Sequence, residues 1–175
     1  PGDTEVRFRG RVTTETGRPE LSGSFSVATT RLDALSTLWR KPADGNPLFN
    51  TPGAIAAQVD LVGETLSLSQ GRFTIDGESR PFSAQVGIGS TRDIHLTADL
   101  GTLDPTRSEA LFALLPDPRQ NPAFAVTFPT GEFELHADAM TIDGLEGSDL
   151  DARGSWDGGV LVLDRLSAGD LGGAR

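Results

Sequence analysis

The sequence contains two histidines, and carboxylates stand at alternate positions around each of them. His95 lies in the segment D-I-H-L-T-A-D and His136 in G-E-F-E-L-H-A-D. Residues two apart on a β-strand lie on the same face, so each histidine would share a face with its acidic neighbours. Such a group could bind zinc or act in acid–base catalysis. Since neither histidine accompanies a cysteine or a second histidine at helical spacing, we interpret both as residues on the solvated polar face of a strand.

A second group of acids lies in the segment D-G-L-E-G-S-D-L-D, which begins at Asp143. A calcium-binding EF-hand loop has acidic or amide ligands at positions 1, 3 and 5, glycine at position 6 and glutamate at position 12. Counting from Asp143 places Leu145 at position 3 and Gly154 at position 12, so the pattern fails. We interpret this segment as a turn whose acidic side chains are exposed to solvent.

The glycine-rich segments also lack the pattern of a nucleotide site. G-I-G-S-T-R at 87–92 and G-S-W-D-G-G at 154–159 are not followed by the lysine and hydroxyl residue of a phosphate-binding loop. The chain has no cysteine, which excludes thiolate metal sites and cysteine nucleophiles. The sequence therefore predicts a protein that is not an enzyme, with no catalytic residue, no metal site and no cofactor.

The excess of acidic over basic residues restricts the classes of partner that this chain can bind. Among 175 residues, 25 acids stand against 15 bases, and the formal net charge is −10. Nucleic-acid binding requires clustered positive charge, which this sequence does not have. Attraction to an anionic lipid surface is disfavoured for the same reason.

Alternation of apolar and polar residues is the main structural signal, and it predicts half-buried antiparallel strands. It begins in the segments around Phe8 and Phe25, and further strands are expected at 54–62, 65–69, 71–76, 123–128, 146–156 and 159–168. Two short helices are predicted, at about 32–40 with Asp33 as N-cap and at about 105–115 with Asp104 as N-cap. The expected fold class is mainly β, with a curved antiparallel sheet or sheets forming a groove or open sandwich.

Two short helices cannot cover the apolar faces of so many strands. Those faces must close on each other, or they must bind something apolar. The residues expected on one shared apolar face, and therefore the candidate lipid-binding residues, are Phe82, Val86, Ile88, Ile94, Leu96, Phe133 and Leu135.

A weak internal repeat suggests how the chain is organised. A strand followed by Leu32-Asp33 and a helix recurs as a strand followed by Leu103-Asp104 and a helix. The chain is therefore expected to be a single β-rich segment, 1–175, with two related strand-plus-helix units at about 1–53 and 54–130 and a strand-rich tail at 131–175. Because it opens at Pro1 and closes within a strand-and-turn pattern, we expect it to belong to a longer protein.

The tail from Gly131 onward resembles the C-terminal repeats of AsmA-family proteins. Those repeats contain a strand of the form G-x-[FL]-x-L-x-A, a G-L turn, a polar strand, G-x-L-x-L and then L-x-A-x-L-x-G-G. The segments G-E-F-E-L-H-A, G-L-E-G-S-D-L-D, G-V-L-V-L and L-S-A-G-D-L-G-G match this order. The resemblance is good over 54–175 and looser over 1–53.

The resemblance implies a periplasmic part of an inner-membrane-anchored protein of the Gram-negative cell envelope. It implies a role in phospholipid transport between membranes or in outer-membrane maintenance, with an apolar β-groove that shields acyl chains and an anchor absent from this sequence. Phospholipid is then the expected ligand, membrane contact would occur only through that anchor, and the envelope partners stay unidentified. Two other interpretations stay open: a structural or protein-interaction β-domain with a closed core and no ligand, and an enzyme or carbohydrate-binding module.

Overall fold

In the computed structural model of this chain, one open β-sheet of 11 strands dominates the fold. The structure describes residues 4–14, 17, 19–36, 45–90, 92–114, 129–142, 144–157 and 160–172. The strands are β1 (Thr4–Thr13), β2 (Glu20–Thr29), β3 (Gly53–Val62), β4 (Thr65–Ile75), β5 (Glu78–Gly87), β6 (Asp93–Asp99), β7 (Thr102–Leu103), β8 (Thr130–Ile142), β9 (Leu145–Asp157), β10 (Val160–Ser167) and β11 (Asp170–Leu171). The helices are α1 (Leu32–Ser36) and α2 (Pro105–Leu114), with a 3-10 turn at Pro47–Asn50.

The strand order in the sheet is β1-β2-β3-β4-β5-β6-β8-β9-β10, while β7 pairs with β8 and β11 pairs with β9. The predicted mainly β fold with two short helices is confirmed. The described residues form a single sheet, with β1 and β10 as its two edges. The expected strand at 123–128 lies outside the described residues.

One part of the prediction is wrong, because the sheet is not antiparallel throughout. Strand β8 runs parallel to β6 and to β7. Parallel neighbours need a long crossover connection, which a tight turn cannot supply. The chain between β7 and β8 includes α2, which therefore belongs to this crossover.

The predicted strands at 65–69 and 71–76 are one strand, β4, with a bulge between them. The register of β4 shifts against both neighbours between Leu68 and Gly71, and Gln70 has a φ of 50°. A bulge places an extra residue in one strand, so the alternation of apolar residues changes phase there. The change of phase explains why the sequence pattern divides β4 into two segments.

Asp-Gly is a typical sequence of a tight hairpin turn, and Asp76-Gly77 forms the turn between β4 and β5. Both residues have positive φ, 50° and 80°, as a two-residue type I′ turn requires. Glycine adopts this backbone conformation without steric cost, and aspartate tolerates it better than most residues.

The two helices begin differently from each other. At α2 the Asp104 carboxylate accepts a hydrogen bond from the Arg107 N–H at 2.9 Å, which confirms the predicted N-cap. At α1 the helix begins at Leu32, so Asp33 lies in its first turn, where it forms an ion pair with Arg31. A carboxylate in the first helical turn stabilises the positive end of the helix dipole. Residues 37–40 of the predicted helix lie outside the described residues.

The helices and the 3-10 turn lie together at one end of the sheet. The side chain of Asn46 donates a hydrogen bond to the Thr106 carbonyl at 3.0 Å and so ties the 3-10 turn to α2. Arg107 of α2 forms an ion pair with Glu78 of β5 at 2.8 Å. This contact lowers the pKa of Glu78. Because both helices occupy this end, they cover only a small part of the sheet.

The best-buried apolar cluster also lies at this end. It consists of Leu103, Ala137 and Leu150, which are at most 7% exposed. Leu111 of α2 packs against this cluster. The core is therefore small and local, and α2 covers it. The proposed division into related strand-plus-helix units stays a prediction, since both helices adjoin one continuous sheet.

Candidate functional site

The strand register places apolar residues in rows that cross the whole sheet. The Leu96 row contains Gly10, Gly23, Val59, Leu68, Ala84, Leu96, Phe133, Gly154 and Leu163, one residue from each of nine strands. The Ile94 row beside it contains Val12, Leu21, Leu61, Leu66, Val86, Ile94, Gly131, Trp156 and Leu161. Directly paired residues share a face, so both rows lie on one side, which we call the apolar face.

Six of the seven predicted lipid-binding residues occupy this face. Val86, Ile94, Leu96 and Phe133 belong to the two rows. Phe82 and Leu135 lie one row further along, paired through Ala98. The structure therefore brings together β5, β6 and β8 as the sequence pattern indicates.

Ile88 is the exception. It follows the end of β5, is 49% exposed, and its N–H donates a hydrogen bond to the Glu64 carbonyl at 2.8 Å. Its place in the sequence alternation matches that of Val86, but β5 ends one residue earlier. Ile88 therefore adjoins the β3–β4 turn.

The apolar face is much wider than the predicted residues indicate. Strand β4 contributes Leu66, Leu68 and Phe73, and β3 contributes Val59 and Leu61. The apolar alternation of β3 and β4 was visible in the sequence. However, the bulge at Gln70 reverses its phase, so the pattern alone could not assign both halves of β4 to one face.

Burial on the apolar face is uneven. Phe133 is 7% exposed and Ala84 is 9% exposed, while Ile94, Leu96 and Leu135 are only half-buried. At the two sheet edges Val6 is 63% exposed and Leu163 is 51% exposed. Among the described residues no second sheet covers this face, and contiguous exposed apolar surface usually marks a binding surface.

Aromatic rings on this face lie over glycines of the neighbouring strands. Phe133 pairs with Gly154, and Trp156 pairs with Gly131. A Cβ at Gly154 would lie 2.6 Å from the Phe133 ring, and one at Gly131 would lie 2.2 Å from the Trp156 ring. Glycine is therefore required at both positions, because any larger residue would displace the ring. The two rings stack with centroids 6.3 Å apart, and the Trp156 indole N–H donates to the Pro129 carbonyl at 2.7 Å.

The opposite side of the sheet, the polar face, contains both histidines, as predicted. His95 is within 3.2 Å of Asp93 and 3.4 Å of Glu132. His136 Nδ1 is 3.0 Å from Asp151. No group of three or more metal-ligating side chains occurs in the described part of the chain.

Two shallow depressions on the polar face are lined by a mixture of charged and apolar residues. One of about 610 Å³ is lined by residues that include Thr97, Glu134, His136 and Arg153. Another of about 690 Å³ lies over β1 to β4 and includes Arg7, Arg9 and Arg72. Apolar chains would leave these charges desolvated, so neither depression suits a lipid tail.

The hydrogen bond to Asp151 raises the pKa of His136 above its ordinary value of 6.5. A raised pKa in the folded state means that protonated His136 stabilises the fold below that ordinary value, and the contribution is lost as the pH rises through the raised pKa. Because the pair is solvent-exposed, His136→Gln should lower the free energy of unfolding by less than about 1 kcal/mol in acid. In alkaline solution the substitution should leave the free energy of unfolding unchanged.

Urea unfolding of His136→Gln and Asp151→Asn in acidic and in alkaline solution tests the prediction. Both variants should lose the same free energy of unfolding in acid and none in alkaline solution. A cost that persists at alkaline pH would contradict it. Neither His136→Gln nor His95→Gln is expected to change ligand binding. Stoichiometric zinc in the purified protein, lost in either variant, would show that the histidines form a metal site.

No protein-family model, curated protein or solved structure matches this chain. Within the described ranges, no helix combines the length and the apolar character needed to cross a bilayer.

Proposed function

We propose that this chain is a non-enzymatic, AsmA-like module whose apolar face shields the acyl chains of phospholipids. The observation that supports this proposal is the pair of unbroken apolar rows, each crossing nine strands of one open sheet. Neighbouring strands lie about 4.8 Å apart, so eight intervals give a path of roughly 38 Å. That path is longer than the hydrocarbon core of a bilayer is thick, about 30 Å.

The energetics favour an apolar ligand on this surface. Each methylene group removed from water contributes about 0.8 kcal/mol, so a single acyl chain along a row would gain several kcal/mol. The face offers no charged side chain within the two rows, so an acyl chain there would desolvate no ion. A phospholipid headgroup could stay in water at the exposed margin.

The cellular role follows from the resemblance of the tail to AsmA repeats. We propose that the chain works in the periplasm, as part of a parent protein anchored in the inner membrane. There it would assist phospholipid transport between the two membranes or the maintenance of the outer membrane.

Lipid binding by the purified 175-residue chain tests the proposal. Organic extraction and native mass spectrometry are expected to detect co-purified phospholipid, and a fluorescent phospholipid should bind saturably. The matching water-soluble headgroup without acyl chains is the control, and it should not compete. A wild-type protein that neither co-purifies with lipid nor binds the probe would contradict the proposal, and the chain would then be a structural or protein-interaction β-domain.

A further inference from the structure

Three arginines concentrate positive charge at one place on the polar face of a chain whose net charge is −10. Arg7, Arg9 and Arg72, which we call the arginine patch, are exposed and line the depression of about 690 Å³ over β1 to β4. No aspartate or glutamate of the described chain lines this depression, although the sequence contains 25 acids. The overall charge balance therefore conceals a local excess of positive charge.

The strand register brings the arginines to one depression from separate strands. The row that joins two of them crosses four neighbouring strands through Arg7, Ser26, Ala56 and Arg72. Three strand intervals of about 4.8 Å place the ends of this row roughly 14 Å apart. Arg9 lies on the same face of β1, two residues and about 7 Å from Arg7. Because the residues between the arginines have short side chains, the arginines form the walls of the depression and the small residues form its floor.

The charge of the arginine patch is largely uncompensated. Among the described residues no carboxylate forms an ion pair with Arg9 or Arg72. Arg7 does have such a partner, Glu5 at 2.6 Å, but both side chains are more than half exposed. An exposed ion pair contributes little free energy, so Arg7 can exchange this partner for another anion.

The lining of the depression suits a phosphorylated ligand. A guanidinium group donates two parallel hydrogen bonds to phosphate or carboxylate oxygens. The hydroxyl and amide groups that can donate further hydrogen bonds belong to Ser24, Ser26, Gln58 and Gln70. A volume of about 690 Å³ is typical of sites for small molecules, which bind in pockets of roughly 300–1,000 Å³. One phosphate cannot span arginines on strands roughly 14 Å apart, whereas a chain of phosphates can.

We propose that the arginine patch binds a small, soluble ligand that carries two or more phosphate groups. The patch lies on a face of the sheet, so a further strand beside β1 would leave it open. The sheet itself separates the patch from the apolar face, so the proposal goes beyond acyl-chain binding and does not depend on it. The net charge of −10 disfavours an anionic bilayer as the source of the phosphates.

Calorimetric titration of the purified chain with inorganic triphosphate at low salt provides the main test. The wild type should bind it saturably, and binding should weaken as added salt screens the exposed charges. Arg9→Gln and Arg72→Gln should each weaken binding at least tenfold, since each removes a charge-assisted contact. Both variants should melt like the wild type, because the two side chains are exposed.

Arg153→Gln is the matched control. Arg153 is an exposed arginine in the other depression of the polar face, and its guanidinium group lies 3.4 Å from Glu134. This variant should bind triphosphate like the wild type. A wild type that does not bind saturably would overturn the proposal, and so would an equal loss of affinity in Arg153→Gln.

Two further ligands test the chemical class. Citrate carries three carboxylates and no phosphate, and it should bind at least tenfold more weakly than triphosphate. Equal affinity for the two would overturn the assignment to phosphate. Vesicles of phosphatidylglycerol and phosphatidylcholine should not bind through the patch. Vesicle binding that Arg9→Gln abolishes would overturn the assignment to a soluble ligand and identify an anionic membrane instead.

Discussion

Leu96→Asp is expected to abolish phospholipid binding while the sheet stays folded. Leu96 lies at the centre of the Leu96 row, between Ala84 and Phe133, and is half-buried. Because no described residue forms a second layer over this part of the face, water can reach a carboxylate here when no ligand is bound. The expected loss of stability is about 1–3 kcal/mol. Ligand affinity should fall more than tenfold, since an acyl chain would bury the charge.

Thermal melting and titration with a fluorescent phospholipid measure the two effects separately. Thr97→Asp is the matched control, because it places the same charge one residue along β6, on the polar face, where Thr97 is exposed. This control should bind lipid like the wild type. Ile94→Asp and Leu135→Asp test the same surface on β6 and β8.

The opposite pattern would identify a closed core. If the aspartate variants at Leu96, Ile94 and Leu135 all unfold, the carboxylates have no access to water and the face is covered in the native protein. The acyl-chain proposal would then fail. A wild type without lipid affinity would end it in the same way.

Phe133→Ala should cause the largest loss of stability of any substitution considered. Phe133 is 7% exposed, stacks on Trp156 and lies over Gly154. Removal of a buried aromatic side chain costs about 3–5 kcal/mol, because the transfer free energy is lost and a cavity stays behind. Gly154 has no side chain with which to fill that cavity.

Phe8→Ala is the control for this second prediction. The same atoms are removed, but Phe8 is 43% exposed on the edge strand β1, so the loss should be below about 1.5 kcal/mol. Urea unfolding measures the free energy of unfolding of both variants, and the two values can be compared if the free energy falls with urea concentration at the same slope in each. Equal losses would show that Phe133 is less well packed than its burial indicates.

Local patterns were sufficient to predict most strands and the side of the sheet to which their residues point. Alternation with a period of two is a property of the extended backbone, so it assigned Ile94 and Leu96 to one face and His95 to the other without knowledge of their neighbours. The Asp104 cap and the Asp76-Gly77 turn are equally local, because hydrogen bonds and φ values within a few residues determine them. Ile88 lies where the pattern continues but the strand has ended.

Only the tertiary structure decided how these strands combine. The parallel pairing of β6 with β8 joins segments separated by a crossover, and no local pattern specifies such a distant partner. The bulge at Gln70 reverses the alternation inside β4, so a period of two misassigns half of that strand unless the register is known. Likewise, no local pattern explains why Gly131 and Gly154, which lie within strand segments of the sequence, are glycines. They are small because a ring from the next strand occupies the space, and that contact exists only in the folded sheet.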